Sequence, residues 1–257
     1  MSKRVFAIAA HPDDIEFMMS GTLFLLKDAG CEIHYMNVAN GSCGTATHSP
    51  EEIAAVRKIE SKNAAAYLGA VHHNSLVNDL EVFYNNDLIS RLCAIIRDVQ
   101  PDIVLTQYPI EYMEDHSNVC RVTVSAVFAR GIKNFPCDPP RDTTIQDVTL
   151  YHALPYGLTD TLRRPIEPDF YVDVSEKIEN KGEMLAMHVS QKEWLDHSQG
   201  LDSFVKSMKA MTAKAGQASG QFTYAEGWTR HLHLGFCSEE ANPLAEILSD
   251  KISVIRS

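Results

Sequence analysis

Apolar residues recur in two rhythms along the first half of the chain. Short unbroken runs at Val5–Ala10, Ile33–Ala39 and within 101–106 read as strands buried on both faces. Between them lie segments of helical spacing. Phe17, Met18, Leu23, Leu25 and Leu26 mark a helix over Phe17–Ala29 that stops at Gly30. Ser49-Pro50-Glu51-Glu52 opens a second helix with a cap, a first-turn proline and two acids. It carries Arg57 and Glu60 and runs to Leu68-Gly69, and two more helices follow at Leu88–Val99 and about His116–Arg130. Residues 71–85, with His72, His73 and Asp79, read as irregular. Strand–helix alternation of this kind predicts an α/β fold. The expected architecture is a Rossmann-like, mostly parallel sheet with right-handed crossovers and helices on both faces.

The rhythm changes after Pro136. Pro136, Pro139 and Pro140 mark a loop, Val148–Leu154 and Phe170–Val174 read as strands, and Ser175–His188 and Leu201–Ala215 read as helices. Residues 221–236 are aromatic and polar and end near His231-Leu232-His233. There is no internal repeat and no low-complexity run. One domain over residues 1–257 is the simplest organisation, with the C-terminal part completing the active-site face of the sheet.

At 257 residues the chain is long enough for a sizeable core, and 45% hydrophobic with 22% charged is ordinary globular composition. A net charge of −11 argues against nucleic acid or an anionic membrane as the main partner. Met-Ser-Lys-Arg leads directly into the first strand, and no run approaches the ~20 apolar residues of a membrane span. A cytoplasmic protein is expected. The six cysteines show no paired metal spacing and read as reduced thiols. No Gly-x-Gly-x-x-Gly follows the first strand, which disfavours a dinucleotide-binding enzyme.

The chemistry gathers where the first strand ends, at His11-Pro12-Asp13-Asp14. In open α/β sheets, ligands bind just beyond the carboxyl ends of the strands. Proline keeps His11 extended and stiffens the turn. His11 and Asp14 then suit one metal ion, with Asp13 beside it but unbound. A plainer reading makes the two acids helix N-terminal residues and His11 a core histidine. The polar loop 107–115 leads into His116 at the same sheet edge. His11, Asp14 and His116 together form a two-histidine, one-carboxylate set that suits zinc, with iron(II) a close alternative.

With these motifs the chain resembles the LmbE-like de-N-acetylases, the PIG-L family of N-acetylglucosaminyl-phosphatidylinositol de-N-acetylase. Ala10-His11-Pro12-Asp13-Asp14 matches the family signature and is followed by Gly21-Thr22. Glu114-Asp115-His116 matches the end of a second motif usually written His-Pro-Asp-His. Arg57, Glu60 and the stretch to Leu68-Gly69 resemble the second helix, and Tyr224-Ala225-Glu226-Gly227 resembles a late motif. The resemblance implies zinc held by His11, Asp14 and His116, with Asp13 as general base. It also implies hydrolysis of the acetamido group of a small-molecule amino sugar or its conjugate. Relatives commonly assemble, so a homo-oligomer is compatible with it, and the loop 136–147 is a candidate contact.

Two departures stand out. Met113 occupies the position of the second motif's first histidine, which polarises the carbonyl or protonates the leaving amine. Asp115 is thereby expected to lack its usual partner. Tyr112, His152, His188, His197, His231 and His233 are candidates to supply the acid. His231 and His233 are of most interest, since on a strand they share one face. The loop Asn40-Gly41-Ser42-Cys43-Gly44 carries no charge, leaving Asn40, Arg57, His231 and His233 as candidate substrate-binding residues. Arg57 reads equally as an ion-pair partner of Glu60. Trp194 and Trp228 read as a sugar-stacking wall or as core. Two other functions stay open: a metal-binding carbohydrate-binding or regulatory protein without turnover, and a hydrolase of another amide or ester.

Overall fold

The computed structural model describes residues 2–192 and 203–255. Eight strands form a single sheet in the order β3-β2-β1-β4-β5-β7-β6-β8. The parallel half comprises β1 (Arg4–Ala9), β2 (Glu32–Asn37), β3 (Val71–His73), β4 (Ile103–Thr106) and β5 (Thr149–Ala153). β6 (Phe170–Asp173), β7 (Ala225–Arg230) and β8 (Ile252–Val254) extend it antiparallel. The expected α/β class and mostly parallel sheet are therefore present, and the C-terminal half contributes strands to the same sheet.

Alternation along β1 builds both layers. Val5, Ala7 and Ala9 face one core, with α1 (Asp14–Met18), α2 (Ser20–Asp28), α3 (Pro50–Leu68), α6 (Ile178–Ala186) and α7 (Ser203–Ser219). Phe6, Ile8 and Ala10 face the other, with α4 (Asn86–Val99) and α5 (Glu114–Ala129). The capping box expected at α3 is formed: Ser49 accepts from Glu52 N, and Glu52 accepts from Ser49 N. A short helix, α8 (Pro243–Ile247), follows β7. No described helix is long and apolar enough to cross a membrane.

Several boundaries differ from the pattern. Residues 71–73, read as irregular, pair with β2 as an edge strand. The helix expected over Phe17–Ala29 is two helices broken at Met19. The break has a cause far along the chain. The Glu226 carboxylate accepts from Gly21 N at 2.9 Å and Thr22 N at 2.8 Å, satisfying orphan amides at the start of α2. A Cβ on Gly21 would lie 2.7 Å from Val174 Cβ, so only glycine lets α2 approach the residue that follows β6. The late motif is thus structural: its acid caps α2, and Trp228 Nε1 donates to Thr22 Oγ1 at 3.0 Å. Trp228 is fully buried and belongs to the core. Trp194 and His197 lie outside the described residues.

The fully buried Lys181 also donates to Glu226. Burial pushes the Lys181 pKa down, and Glu226 opposes this. Glu226→Gln leaves a buried ammonium without its counter-charge, which typically costs about 3–5 kcal/mol. Chemical denaturation is expected to show a loss of that order; a change below ~1 kcal/mol contradicts the assignment.

Candidate metal centre and active site

The turn after β1 is held rigidly. Ala10 N donates to Gln107 Oε1 at 3.0 Å, and Asn37 Nδ2 donates to the His11 carbonyl at 2.6 Å. Asp13 sits at the N-cap of α1 with φ 114°, a region that L-residues rarely adopt. Asp14 then accepts from His11 N at 2.7 Å and from Gln107 Nε2 at 3.3 Å.

Three ligand atoms converge from β1, α1 and α5. His11 Nδ1 lies 3.6 Å from Asp14 Oδ2 and 3.3 Å from His116 Nε2, and Asp14 Oδ2 lies 3.4 Å from His116 Nε2. Atoms around one tetrahedral zinc, bonded at ~2.0–2.1 Å, stand about 3.4 Å apart. The triangle therefore fits a single small divalent ion. Electrostatics point the same way. Burial depresses His11, but the carboxylates of Asp115, Asp14 and Asp79 outweigh it and raise the pKa to about 10 in the metal-free protein. Burial pushes the Asp14 pKa up, but His116 and His11 outweigh it and lower it. The carboxylates around the two histidines thus favour a positive charge at the cluster. Imidazole and carboxylate must be deprotonated to bind a metal, so affinity falls with acidity.

Carboxylates stand behind both histidines. His11 Nε2 pairs with Asp115 Oδ2 at 3.0 Å, leaving Nδ1 for the metal. Asp115 also accepts from Leu80 N at 2.7 Å. With Met113 in place of its usual histidine partner, Asp115 instead pairs with His11 and orients it. His116 Nδ1 faces Glu111 Oε2 at 3.6 Å. Such outer carboxylates typically contribute 10–100-fold to metal affinity. Asp115→Asn is expected to weaken binding by about that factor in a chelator competition; unchanged affinity contradicts the role.

Asp13 lies beside the triangle and outside it. Burial raises its pKa to about 6, against the Arg57 guanidinium, which lowers it. Arg57 Nη2 donates to Asp13 Oδ2 at 3.2 Å and to the Pro12 carbonyl. Arg57 is buried and threads past Gly41, where φ is +80° and an added Cβ would collide with its side chain. The Arg57–Glu60 ion pair is absent; Glu60 instead accepts from Ser190 N at 2.8 Å and Ser190 Oγ at 2.6 Å.

Two lobes open onto the metal cluster and share Asp13, Asp14, Tyr112, His116 and Gln191. One holds the charged side chains of Arg57 and Asp79, with Cys43 and Met113. The other sets the rings of Phe17, Tyr156 and Phe204 beside Glu111 and Ser207. Of the candidate acids, Tyr112 reaches the cavity. His188 is buried against Glu16 Oε1 at 3.1 Å, and His152 Nε2 meets His231 Nδ1 at 2.9 Å; neither His188 nor His152 lines a lobe. β7 ends at Arg230, so His231 and His233 are not strand neighbours, and His231 lines a separate apolar groove. Asn40 is not brought to the cavity either: its amide bonds Asn78 Oδ1 and Ser42 N. Gln107, Glu111 and Gln191 join the site without any motif that marks them. Gln107 does follow β4 directly at the ligand-binding edge, which is a readable signal.

A mostly parallel sheet with a His–Asp–His cluster able to hold a metal and an adjacent acid at its carboxyl edge defines an α/β protein with a candidate metal centre. Residues 6–127 match the family described as PIG-L, GlcNAc-PI de-N-acetylase. A diacetylchitobiose deacetylase of Thermococcus kodakarensis is 30% identical over 195 residues, 74% of this chain and 70% of the relative. A probable N-acetyl-alpha-D-glucosaminyl L-malate deacetylase 2 of Bacillus cereus is 27% identical over 87% of this chain and 99% of its own. The chain belongs to the PIG-L family. Among solved structures, N,N'-diacetylchitobiose deacetylase from Pyrococcus horikoshii superposes with TM-score 0.73 and 24% identity, covering 91% of this chain and 85% of that one. The fold also matches GalB, a 4-carboxy-2-hydroxymuconate hydratase from Pseudomonas putida (TM-score 0.76, 18% identity, 93% of this chain and 100% of that one).

Proposed function

We propose that this protein is a zinc-dependent hydrolase, with iron(II) as the alternative ion, that removes the N-acetyl group from an amino sugar or amino-sugar conjugate in the cytoplasm. The observation that carries this is the triangle of His11 Nδ1, Asp14 Oδ2 and His116 Nε2 with edges of 3.3–3.6 Å, beside the unligated Asp13. The deacetylase relatives support the same bond class.

When bound, such an ion supplies Lewis acidity, making water a nucleophile near neutral pH and polarising a carbonyl. Asp13 accepts the proton of the attacking water at Oδ1, the oxygen not bonded to Arg57, whose guanidinium fixes the carboxylate's orientation through Oδ2. Addition of water to R–CO–NH–R′ cleaves the C–N bond into an acid and a free amine. The proton taken by Asp13 is available for the departing nitrogen, a delivery Met113 cannot make. Tyr112 is a second donor at the cavity wall. Arg57 and Asp79 line the first lobe, where they can add hydrogen bonds to sugar hydroxyls beside those they make to Asp13, Gly41 and Cys43.

Met113 also motivates a second reading, a metal-binding protein of this fold without turnover. Acetate and free-amine release from a panel of N-acetylated amino sugars separates the two. Equimolar release supports the hydrolase. A fully metal-loaded protein that cleaves no member supports the second reading.

A further inference from the structure

Four carboxylates line the two lobes around the ligand triangle: Asp13, Asp14, Asp79 and Glu111. A fifth, Asp115, stands behind them at 3.0 Å from His11 Nε2. Among the described residues that line either lobe, Arg57 is the one lysine or arginine. Its charge is already paired. The side chain is buried, and Nη2 donates to Asp13 Oδ2 at 3.2 Å and to the Pro12 carbonyl. A divalent ion held by neutral imidazoles, together with Arg57, balances three of these five carboxylates. The walls therefore stay net negative with the metal in place.

Anions are recognised by guanidinium or ammonium groups and by the amides of helix N-termini. Neither is open here. α1 and α5 start at this edge, but each carries its own acids in the first turn: Asp14 and Glu16 on α1, Glu114 and Asp115 on α5. Gln191 and Phe204, on either side of residues 193–202, line the cavity. The stretch between them contains Glu193, Asp196 and Asp202, and residues 193–202 include no lysine or arginine. We propose that the site selects substrates without negative charge. It takes neutral N-acetylated amino sugars and their neutral glycosides, and turns away conjugates that bear a phosphate, sulfate or carboxylate. This deepens the hydrolase reading above and rests on it.

The test compares N-acetylglucosamine and N,N'-diacetylchitobiose with N-acetylglucosamine 1-phosphate and N-acetylglucosamine 6-sulfate, which place an anion at either end of the sugar. With the metal-loaded protein at low salt, kcat/KM read as free amine is expected to be at least ~10-fold lower for both anionic sugars. Ionic strength near ~1 M, where the Debye length is about 3 Å, is expected to shrink that gap, which steric exclusion would not do. Asp79→Asn keeps an acceptor for Gly41 N or Cys43 N and removes one charge, so it is expected to narrow the same ratio. Asp13→Asn, slow to turn over, allows equilibrium binding to be read by calorimetry. The 6-sulfate is expected to bind it more weakly than N-acetylglucosamine. Anionic sugars cleaved as fast as neutral ones, a gap that neither salt nor Asp79→Asn moves, or equal binding of the two each overturns the inference while leaving de-N-acetylation standing. Failure to cleave any of the four with metal bound overturns the hydrolase reading, and this inference with it.

Discussion

Asp13→Asn is expected to lower kcat by about 10²–10⁴-fold, the usual contribution of general acid–base catalysis, while the protein keeps its metal. Asparagine has the same shape and lacks the basic oxygen. It also tolerates the positive φ of 114° at this position better than most residues, so the turn survives. Its side-chain carbonyl can still accept from Arg57. The loss should therefore fall on turnover, with KM little changed. Elemental analysis beside steady-state kinetics makes the check. Loss of the metal in this variant would place Asp13 among the ligands and contradict its role as base.

His116→Ala carries the largest expected effect. Its imidazole is one of the three proposed ligands, supplied from the first turn of α5, and it is buried. Removing it leaves His11 and Asp14, which cannot by themselves complete a four-coordinate site with only one position open. Metal content should fall well below one per chain. Turnover should fall at least ~10³-fold, because Lewis-acid stabilisation of several kcal/mol disappears. The helix gains a good helix former in its place, so far-UV circular dichroism should be preserved. Normal turnover in this variant would remove the metal triangle from the mechanism.

Much of this architecture is legible in the amino-acid pattern alone. The unbroken apolar runs at β1, β2 and β4 reflect burial on both faces, and β1 and β4 deliver their carboxyl ends to one edge. His11, Asp14 and His116 can therefore be grouped although 105 positions separate the two histidines. What stays hidden depends on contacts distant in sequence. The break at Met19 is made by Glu226, which no local pattern around residue 19 announces. β3 is a three-residue edge strand whose two histidines obscure its apolar rhythm. Asp115 gives no sign that it orients His11 rather than a residue of its own motif. The strand expected to align His231 and His233 ends one residue before them, at Arg230. The second lobe is equally invisible, since Phe17, Tyr112, Tyr156 and Phe204 come from four separate segments.

The proposed chemistry requires that one ion bind at the three converging atoms. Elemental analysis of the purified wild type, beside His116→Ala prepared identically, measures this most directly. Near one zinc or iron per wild-type chain, lost in the variant, is the predicted result. A well-folded wild type that takes up no metal even after reloading, or a variant that holds it as well as the wild type, would contradict it.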